Sequence, residues 1–458
     1  MNNKNHQALG KGQFFLLLRL SSVCFVASSA AFSNSETKAA PQQEQVLSND
    51  LNDAWADDWA EAEPASPWQF TGFIEAAHGQ FLQSNIVKSD ASLSELRARI
   101  NLDYSHEHFD VSGKVDSYYD AVLSKTIWQT RELSLSASPF SFVDIKVGRQ
   151  VLTWGTGDYL FLNDLFAKDW QAFFSGRADE YLKAPSNSFR SNWFYDDVSF
   201  TLVYTPEFTA DNYITGERFS FYSPQAQKLV APKQAYPVDK TDKAQWSARL
   251  KTHINSVEVS LYGYKGFWPT PLGIKPADNN PMQIQGYFPK LNVWGVSALG
   301  SFKGGILNLE YANYNSLEDN QGKNDMVAHG QHRLLVSYEH ELATNFTGSI
   351  QYYLERTKDY QALVDNSTVP EQLVAENRHL FTLRLSYRAL RQTLVYSLFT
   401  FYSPSDKDGY IKPSINYQYN DQWLFSAGAN VFFGQNDYSF FGQHQDNSNA
   451  WLRIRYQY

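Results

Sequence analysis

Residues 93–104 alternate so strictly that the segment has two chemically opposite faces. Leu96, Ala98, Ile100, Leu102 and Tyr104 fall on one, and Glu95, Arg97, Arg99, Asn101 and Asp103 on the other. A period of two belongs to a β-strand. A packed sandwich cannot bury the charged face, because each unpaired charge would lose its hydration. A water-filled lumen accepts that face while the apolar face turns to lipid. Residues 142–151 repeat the theme, with Val143, Ile145, Val147 and Val151 against Asp144, Lys146 and Gln150. In 305–315, Leu307, Leu309 and Tyr311 oppose Asn308 and Glu310.

No segment carries 18 consecutive apolar residues, so the sequence offers no membrane-spanning helix. In lipid every backbone group needs a partner, and without helices only a closed barrel supplies them. The intervals between alternating segments support this. Short connections at 105–108, 138–141, 196–197, 254–255, 302–304, 341–344, 390–391 and 420–421 alternate with medium or long ones at 83–92, 120–126, 152–186, 206–243, 266–290, 316–330, 357–375, 403–409 and 435–447. Short turns inside and long loops outside mark outer-membrane barrels. The expectation is an all-β fold: a transmembrane antiparallel up-and-down β-barrel over 68–458, of about 18 strands. Sixteen is the alternative, because 188–195 is the weakest segment.

Composition fits a barrel. Hydrophobic residues are 43%, ordinary for a soluble chain, but aromatics reach 16%, and barrels use such an excess in girdles at both interfaces. The last nine residues, 450–458, place Leu452, Ile454, Tyr456 and Tyr458 on one face. This resembles the terminal signal read by the barrel-insertion machinery, with Tyr where Phe is usual. Outer-membrane lipid and that machinery are therefore the expected partners.

The N-terminus reads as a signal peptide over 1–31. Lys4 and Lys11 form the basic part, Phe14 to Val26 the apolar part (interrupted by Arg19), and Ser28 to Ala31 the small residues for cleavage. The single cysteine, Cys24, lies within it, and Ser21-Ser22-Val23 before it is a poor lipoprotein signal. A mature chain from residue 32 then has no disulfide, thiol catalysis or zinc–thiolate site. Its charge is (39 − 3) − 48 = −12, which argues against nucleic acid as a partner. Residues 32–67 hold eight acids and one base, with Leu51, Trp55 and Trp59 at helical spacing. They read either as an acidic periplasmic tail or as a short helix docking on a periplasmic partner.

The connection 152–186 departs from the rest. It carries Trp154, Tyr159, Phe161, Leu162, Leu165, Phe166, Trp170, Phe173 and Phe174. An external loop so apolar needs shelter, and loops this long in compact proteins are mostly functional. The expectation is that it folds into the lumen and constricts it. Trp154, Asp158, Asp164, Lys168, Asp169, Arg177, Asp179, Glu180 and Lys183 would sit at the constriction.

Gly148, Arg149 and Gln150, followed by Trp154 and Gly155, resemble a feature of porin-like outer-membrane families, including alginate-export-type barrels. The resemblance implies transport across the outer membrane and leaves the cargo open.

Strand parity gives the expected lumen lining. The bases are Arg97, Arg99, Lys114, Lys146, Arg190, Arg249, Lys251, Arg333, Arg384, Arg388, Arg453 and Arg455. The acids are Glu95, Asp103, Asp116, Asp144, Glu258, Glu310, Glu339 and Glu355. They form either a ladder of like charge, which would select ions, or mutually compensating pairs. Inward Tyr262, Tyr264 and Tyr353 suggest a sugar-stacking track. The leading functional reading is a channel or porin-like transporter of small hydrophilic solutes, without cofactor or metal and located in the outer membrane with both termini periplasmic. The alternative is the outer-membrane component of an export system for a lipid or polymer, docked through 32–67. A barrel lipase-type enzyme is the third reading. It needs a Ser beside a His, and no His-x-Ser pair occurs on an expected strand. His106 and His108 share a short turn and read as structural.

Overall fold

The computed structural model describes residues 66–458 apart from 224–225, 233–235, 278–279 and 368–369. The signal segment and nearly all of the acidic stretch 32–67 lie outside the described residues. Seven strands open the chain: β1 (Trp68–Phe81), β2 (Ala91–His106), β3 (Phe109–Asp120), β4 (Lys125–Phe140), β5 (Val143–Val151), β6 (Pro185–Tyr195) and β7 (Val198–Thr205). A small hairpin, β8 (Phe221–Ser223) with β9 (Lys228–Val230), precedes β10 (Gln245–Ile254) and β11 (Val257–Phe267). A second, β12 (Gly273–Ala277) with β13 (Asn280–Tyr287), precedes β14 (Lys290–Phe302), β15 (Gly305–Ser316), β16 (Gln331–Ala343) and β17 (Phe346–Thr357). β18 (Asn377–Ala389), β19 (Leu394–Ser403), β20 (Asp408–Gln418), β21 (Trp423–Gly434) and β22 (Asn449–Gln457) finish the wall.

Apart from the two hairpins, each strand pairs antiparallel with the next, and β22 closes on β1 with Phe73 opposite Gln457. The wall is an 18-stranded closed barrel. The expected fold and strand count hold, 188–195 included. Short turns gather at one rim, where non-glycine residues take left-handed backbone, among them Asp196 (φ 47°) and Asn255 (φ 55°). That conformation matches the twist of paired strands. Both ends of the barrel, Trp68 and Tyr458, lie at this rim.

Side-chain alternation is as expected. Leu96, Ile100 and Leu102 lie on the outer surface, more than two-fifths exposed, while Arg97 and Arg99 between them are buried inside. Exposed aromatics ring the short-turn rim, including Trp68, Phe140, Trp193, Tyr195, Tyr387 and Tyr419. The core sits within the barrel. There the segment after β5 packs against inward Tyr264, Leu291, Val293, Leu335, Phe399, Phe401, Tyr410 and Phe432. The connections at the other rim fold over this core. They include helix α2 (Tyr360–Asn366) and a 3-10 turn, Gly442–Asn447.

One strand breaks a backbone rule. Pro413 lies inside β20, where it has no N–H to donate. The β20–β21 ladder pairs Ile411 with Val431 and resumes only at Ser414 with Gly428. Central strands rarely tolerate proline, and here the ladder simply skips two residues.

Candidate functional site

The segment between β5 and β6 leaves the wall through the Gly-Arg-Gln motif. Gly148 has φ 119°, and a Cβ there would stand 2.3 Å from the Leu133 carbonyl oxygen, so only glycine fits. Arg149 Nε donates to the Thr130 carbonyl at 2.6 Å, and Gln150 Nε2 to that of Ser188 at 3.2 Å. The motif pins both flanks of the departure point. Asp164 then ties the base of the loop together. It accepts from Thr153 Oγ1 (3.0 Å), the Trp154 backbone N–H (3.1 Å) and Lys168 Nζ (3.0 Å). Trp154 packs on Phe166 and Tyr262.

From there the loop touches the wall almost all the way around. Thr156 N–H and Asn163 Nδ2 donate to the two oxygens of Glu310 on β15, at 3.1 and 2.9 Å. Tyr314 Oη donates to the Leu162 carbonyl, and Asp158 pairs with Arg384 on β18 at 2.8 Å. Tyr159 meets Phe399 edge-on, with its hydroxyl donating to Asp179. Helix α1 (Trp170–Ser175) is capped by Asp169, whose Oδ1 accepts from Ala172 N–H at 2.7 Å. It ends at Gly176 (φ 85°), over which Trp451 lies so close that no Cβ fits. Asn430 and Asn449, on β21 and β22, both donate to the Phe174 carbonyl.

The return limb is held by charge. Arg177 donates twice to Glu95 on β2, and Glu180 accepts from Arg99 at 2.6 Å. Lys412 on β20 pairs with Asp179. Tyr181 lies under the guanidinium groups of Arg97, Arg99 and Arg131. Lys183 Nζ reaches back to Thr153 Oγ1 at 2.7 Å. All of the loop residues singled out in the sequence therefore lie inside the barrel. The centre of the disc they make is dry: Leu160, Phe161, Leu162 and Phe173 are at most 2% exposed. Burying four such side chains contributes about 1.5–3 kcal/mol each. Toward the short-turn rim the disc is wet, since the Asp179 and Glu180 side chains are 42% and 38% exposed.

Of the two arrangements open for the lumen charges, compensating pairs predominate, although the buried Nε atoms of Arg190 and Arg249 find no acid among the described residues. Arg453 and Arg455 on β22 lie across β1 from Arg97, but Glu75 stands between and pairs with both, at 3.5 and 2.8 Å. Glu132 bridges Lys114 and Lys146. Lys251 pairs with Glu258, and Arg384 also pairs with Glu339. Arg388 sits exposed near the short-turn rim. The tyrosine track is corrected. Tyr262, Tyr264 and Tyr353 face inward, but each is at most 8% exposed. Tyr262 backs Trp154, Tyr264 bonds Gln245 and the Phe267 backbone, and Tyr353 bonds Glu355. No ring face is left open for a sugar to stack on.

Several residues that hold the loop escaped sequence reasoning. Arg131 lies where β4 bulges against β3, the ladder slipping between Lys114 and Val115. A bulge turns a side chain that strict alternation would point the other way. Arg131 Nη2 thereby reaches the Glu180 and Lys183 carbonyls. Glu75, Asp120 and Lys412 also face the lumen, and Arg218 comes from another connection to pair with Asp120.

Asp211, also from that second connection, accepts from the Lys168 backbone N–H (2.9 Å) and from Trp170 Nε1 (2.8 Å). Burial pushes its carboxyl up from 3.8 to about 6, although Lys168 pulls the other way. The folded state therefore holds this proton more tightly than the unfolded chain. Stability of the connection is fully present below about pH 4 and falls as pH rises toward 6. Protease cleavage within 206–243 should quicken between those values and level off above. Asp211→Asn, which cannot titrate, should flatten that profile. Identical profiles for the two proteins would count against the assignment.

No family model and no curated protein matches the sequence. Solved structures do. OccAB3 of Acinetobacter baumannii is 9% identical over 85% of this chain and 98% of that chain, with a TM-score of 0.51. A loop L8 deletion mutant of OmpT, an outer membrane protein of Vibrio cholerae, is 11% identical over 85% and 99%, with a TM-score of 0.40. A mutant Rh. blastica porin is 10% identical over 85% and 100%, at 0.37. At these identities the OccAB3 likeness speaks for a shared barrel fold.

Proposed function

We propose that this chain is an outer-membrane channel of porin-like build whose lumen is constricted by the connection 152–186. The observation that carries the reading is the course of that loop. It crosses the barrel and holds to opposite walls by ion pairs and hydrogen bonds, which water can replace if the loop withdraws. A barrel of this size without a plug has room for an aqueous path. The wet, charge-lined half toward the short turns suits small hydrophilic solutes. Its compensated pairs should give weak ion selectivity. The outward apolar belt, the aromatic rim and the short-turn rim holding both ends support outer-membrane residence with periplasmic termini.

Single-channel recording in planar bilayers tests the proposal. Small, interrupted currents are expected from the intact chain. Silence from both the intact and the loop-shortened protein would overturn it. The insertion-signal reading of Leu452, Ile454, Tyr456 and Tyr458 has its own test. Leu452 and Ile454 face outward, and Tyr458 exchanges backbone hydrogen bonds with Gly72 at 3.0 and 3.1 Å. Tyr458→Ala keeps those bonds but loses the ring. It should lower the yield of heat-modifiable barrel in outer-membrane fractions, while an undiminished yield would argue against a signal there.

A further inference from the structure

We propose that the cavity on the outer side of the disc is a binding site for a neutral apolar molecule the size of one substituted aromatic ring. It lies between α1 and the connections 206–243, 266–290 and 435–447. Trp170 and Phe174 form its floor, and Ile214, Phe221, Leu272 and Phe440 are among its walls. Its volume is about 180 Å³.

Size, lining and charge each narrow the occupant. Packed interiors leave few voids larger than a water, and an apolar cavity of about 150 Å³ stays dry and takes up benzene. This one is slightly larger, so a ring with a small substituent fits. Besides the hydroxyl-bearing Tyr213, Thr215, Tyr236 and Thr270, three polar residues reach its lining, Asp211, Gln443 and His444, and each of these three already has partners. Asp211 accepts from Lys168 and Trp170. Gln443 Oε1 accepts from Tyr222 N–H while its Nε2 donates to the Phe440 carbonyl. His444 Nδ1 shares a hydrogen bond with Asn447, and burial pushes its imidazole down to about 3, so it is neutral. An anion would meet no counter-ion among these groups, and a cation would find only the Asp211 carboxyl, both of whose oxygens already accept hydrogen bonds, so either charge would pay for its dehydration. A neutral ligand avoids that cost. The occupant would rest directly on α1, the helix of the constricting loop. Binding does not require that the channel reading be right, and it is read without any transport.

The test uses the full chain in dimyristoylphosphatidylcholine nanodiscs, because a detergent tail would compete for an apolar cavity. Fluorine NMR line broadening is followed during titration with 4-fluorophenol and, separately, with 4-fluorobenzoate. The expected result is saturable broadening by 4-fluorophenol with a Kd on the order of 1 mM, reasonable for so few atoms, and none by 4-fluorobenzoate. Ile214→Trp, which fills the cavity, should weaken binding at least about tenfold. Leu272→Phe is the second filling variant, and heat-modifiable mobility shows that each barrel is intact. Broadening that matches empty nanodiscs, that survives in the filled variants, or that favours the benzoate would overturn the proposal.

Discussion

Deleting residues 154–174 should raise single-channel conductance at least about tenfold, because it converts a crossed lumen into an open one. The deletion removes Trp154, Leu160, Phe161, Leu162, Phe173 and Phe174, which fill the middle of the barrel. It leaves Arg177, Glu180 and Tyr181, which lie against the β2 side of the wall. The wall itself is continuous without the loop, since each of its strands pairs on both sides. Barrel closure therefore does not depend on the disc. The apolar inner wall around Phe399, Phe401 and Tyr410 would become exposed to the lumen. If that impairs assembly, Thr156→Val with Asn163→Leu gives the same answer more gently. It removes the two side-chain hydrogen bonds to Glu310, leaving only that of the residue 156 backbone N–H, and should raise open probability with the barrel unchanged. Unaltered conductance in both proteins would show that the loop does not limit the current.

The fold was legible because lipid and water impose opposite demands on the two faces of one strand. In β2 each apolar position is flanked by a charged or polar one, so parity could be read without ambiguity. The strands around 394–403 are different. Leu394, Leu398, Phe399, Phe401 and Tyr402 are apolar on both faces. One set meets lipid, and the other, Phe399 and Phe401, meets the loop. Periodicity cannot separate two apolar environments. That is why the sequence showed an apolar loop needing shelter but not the apolar wall that shelters it. Tyr262, Tyr264 and Tyr353 were placed on the correct face for the same reason and given the wrong use. Arg131 was missed because a bulge shifts parity by one. Arg218 was missed because its connection folds inward by tertiary contacts alone. The small hairpins β8–β9 and β12–β13 gave no signal beyond long polar spacing.

Glu95→Ala should destabilise the barrel by about 3–5 kcal/mol, the usual consequence of removing one partner from a buried ion pair. Glu95 accepts from Arg97 at 3.3 and 3.0 Å through one oxygen and from Arg177 at 3.1 and 2.9 Å through the other. The side chains of Glu95, Arg97 and Arg177 are 0%, 1% and 7% exposed. Around them Arg97, Arg99, Arg177 and Arg218 balance Glu95, Asp116, Asp120 and Glu180. Losing one acid leaves an uncompensated positive charge that water cannot reach. Glu258→Ala is the contrast. Its pair with Lys251 is 26% and 31% exposed, and such pairs contribute about 0–1 kcal/mol. Urea unfolding of the reconstituted proteins should separate the two variants clearly, and equal losses would mean that burial does not govern this network. The double variant Glu95→Ala with Arg177→Met should recover part of the loss, because it removes one of the charges left alone. Since Arg177 belongs to the loop and Glu95 to the wall, Glu95→Ala should also loosen the disc. Protease cleavage within 152–186 should then rise in that variant and stay low in Glu258→Ala.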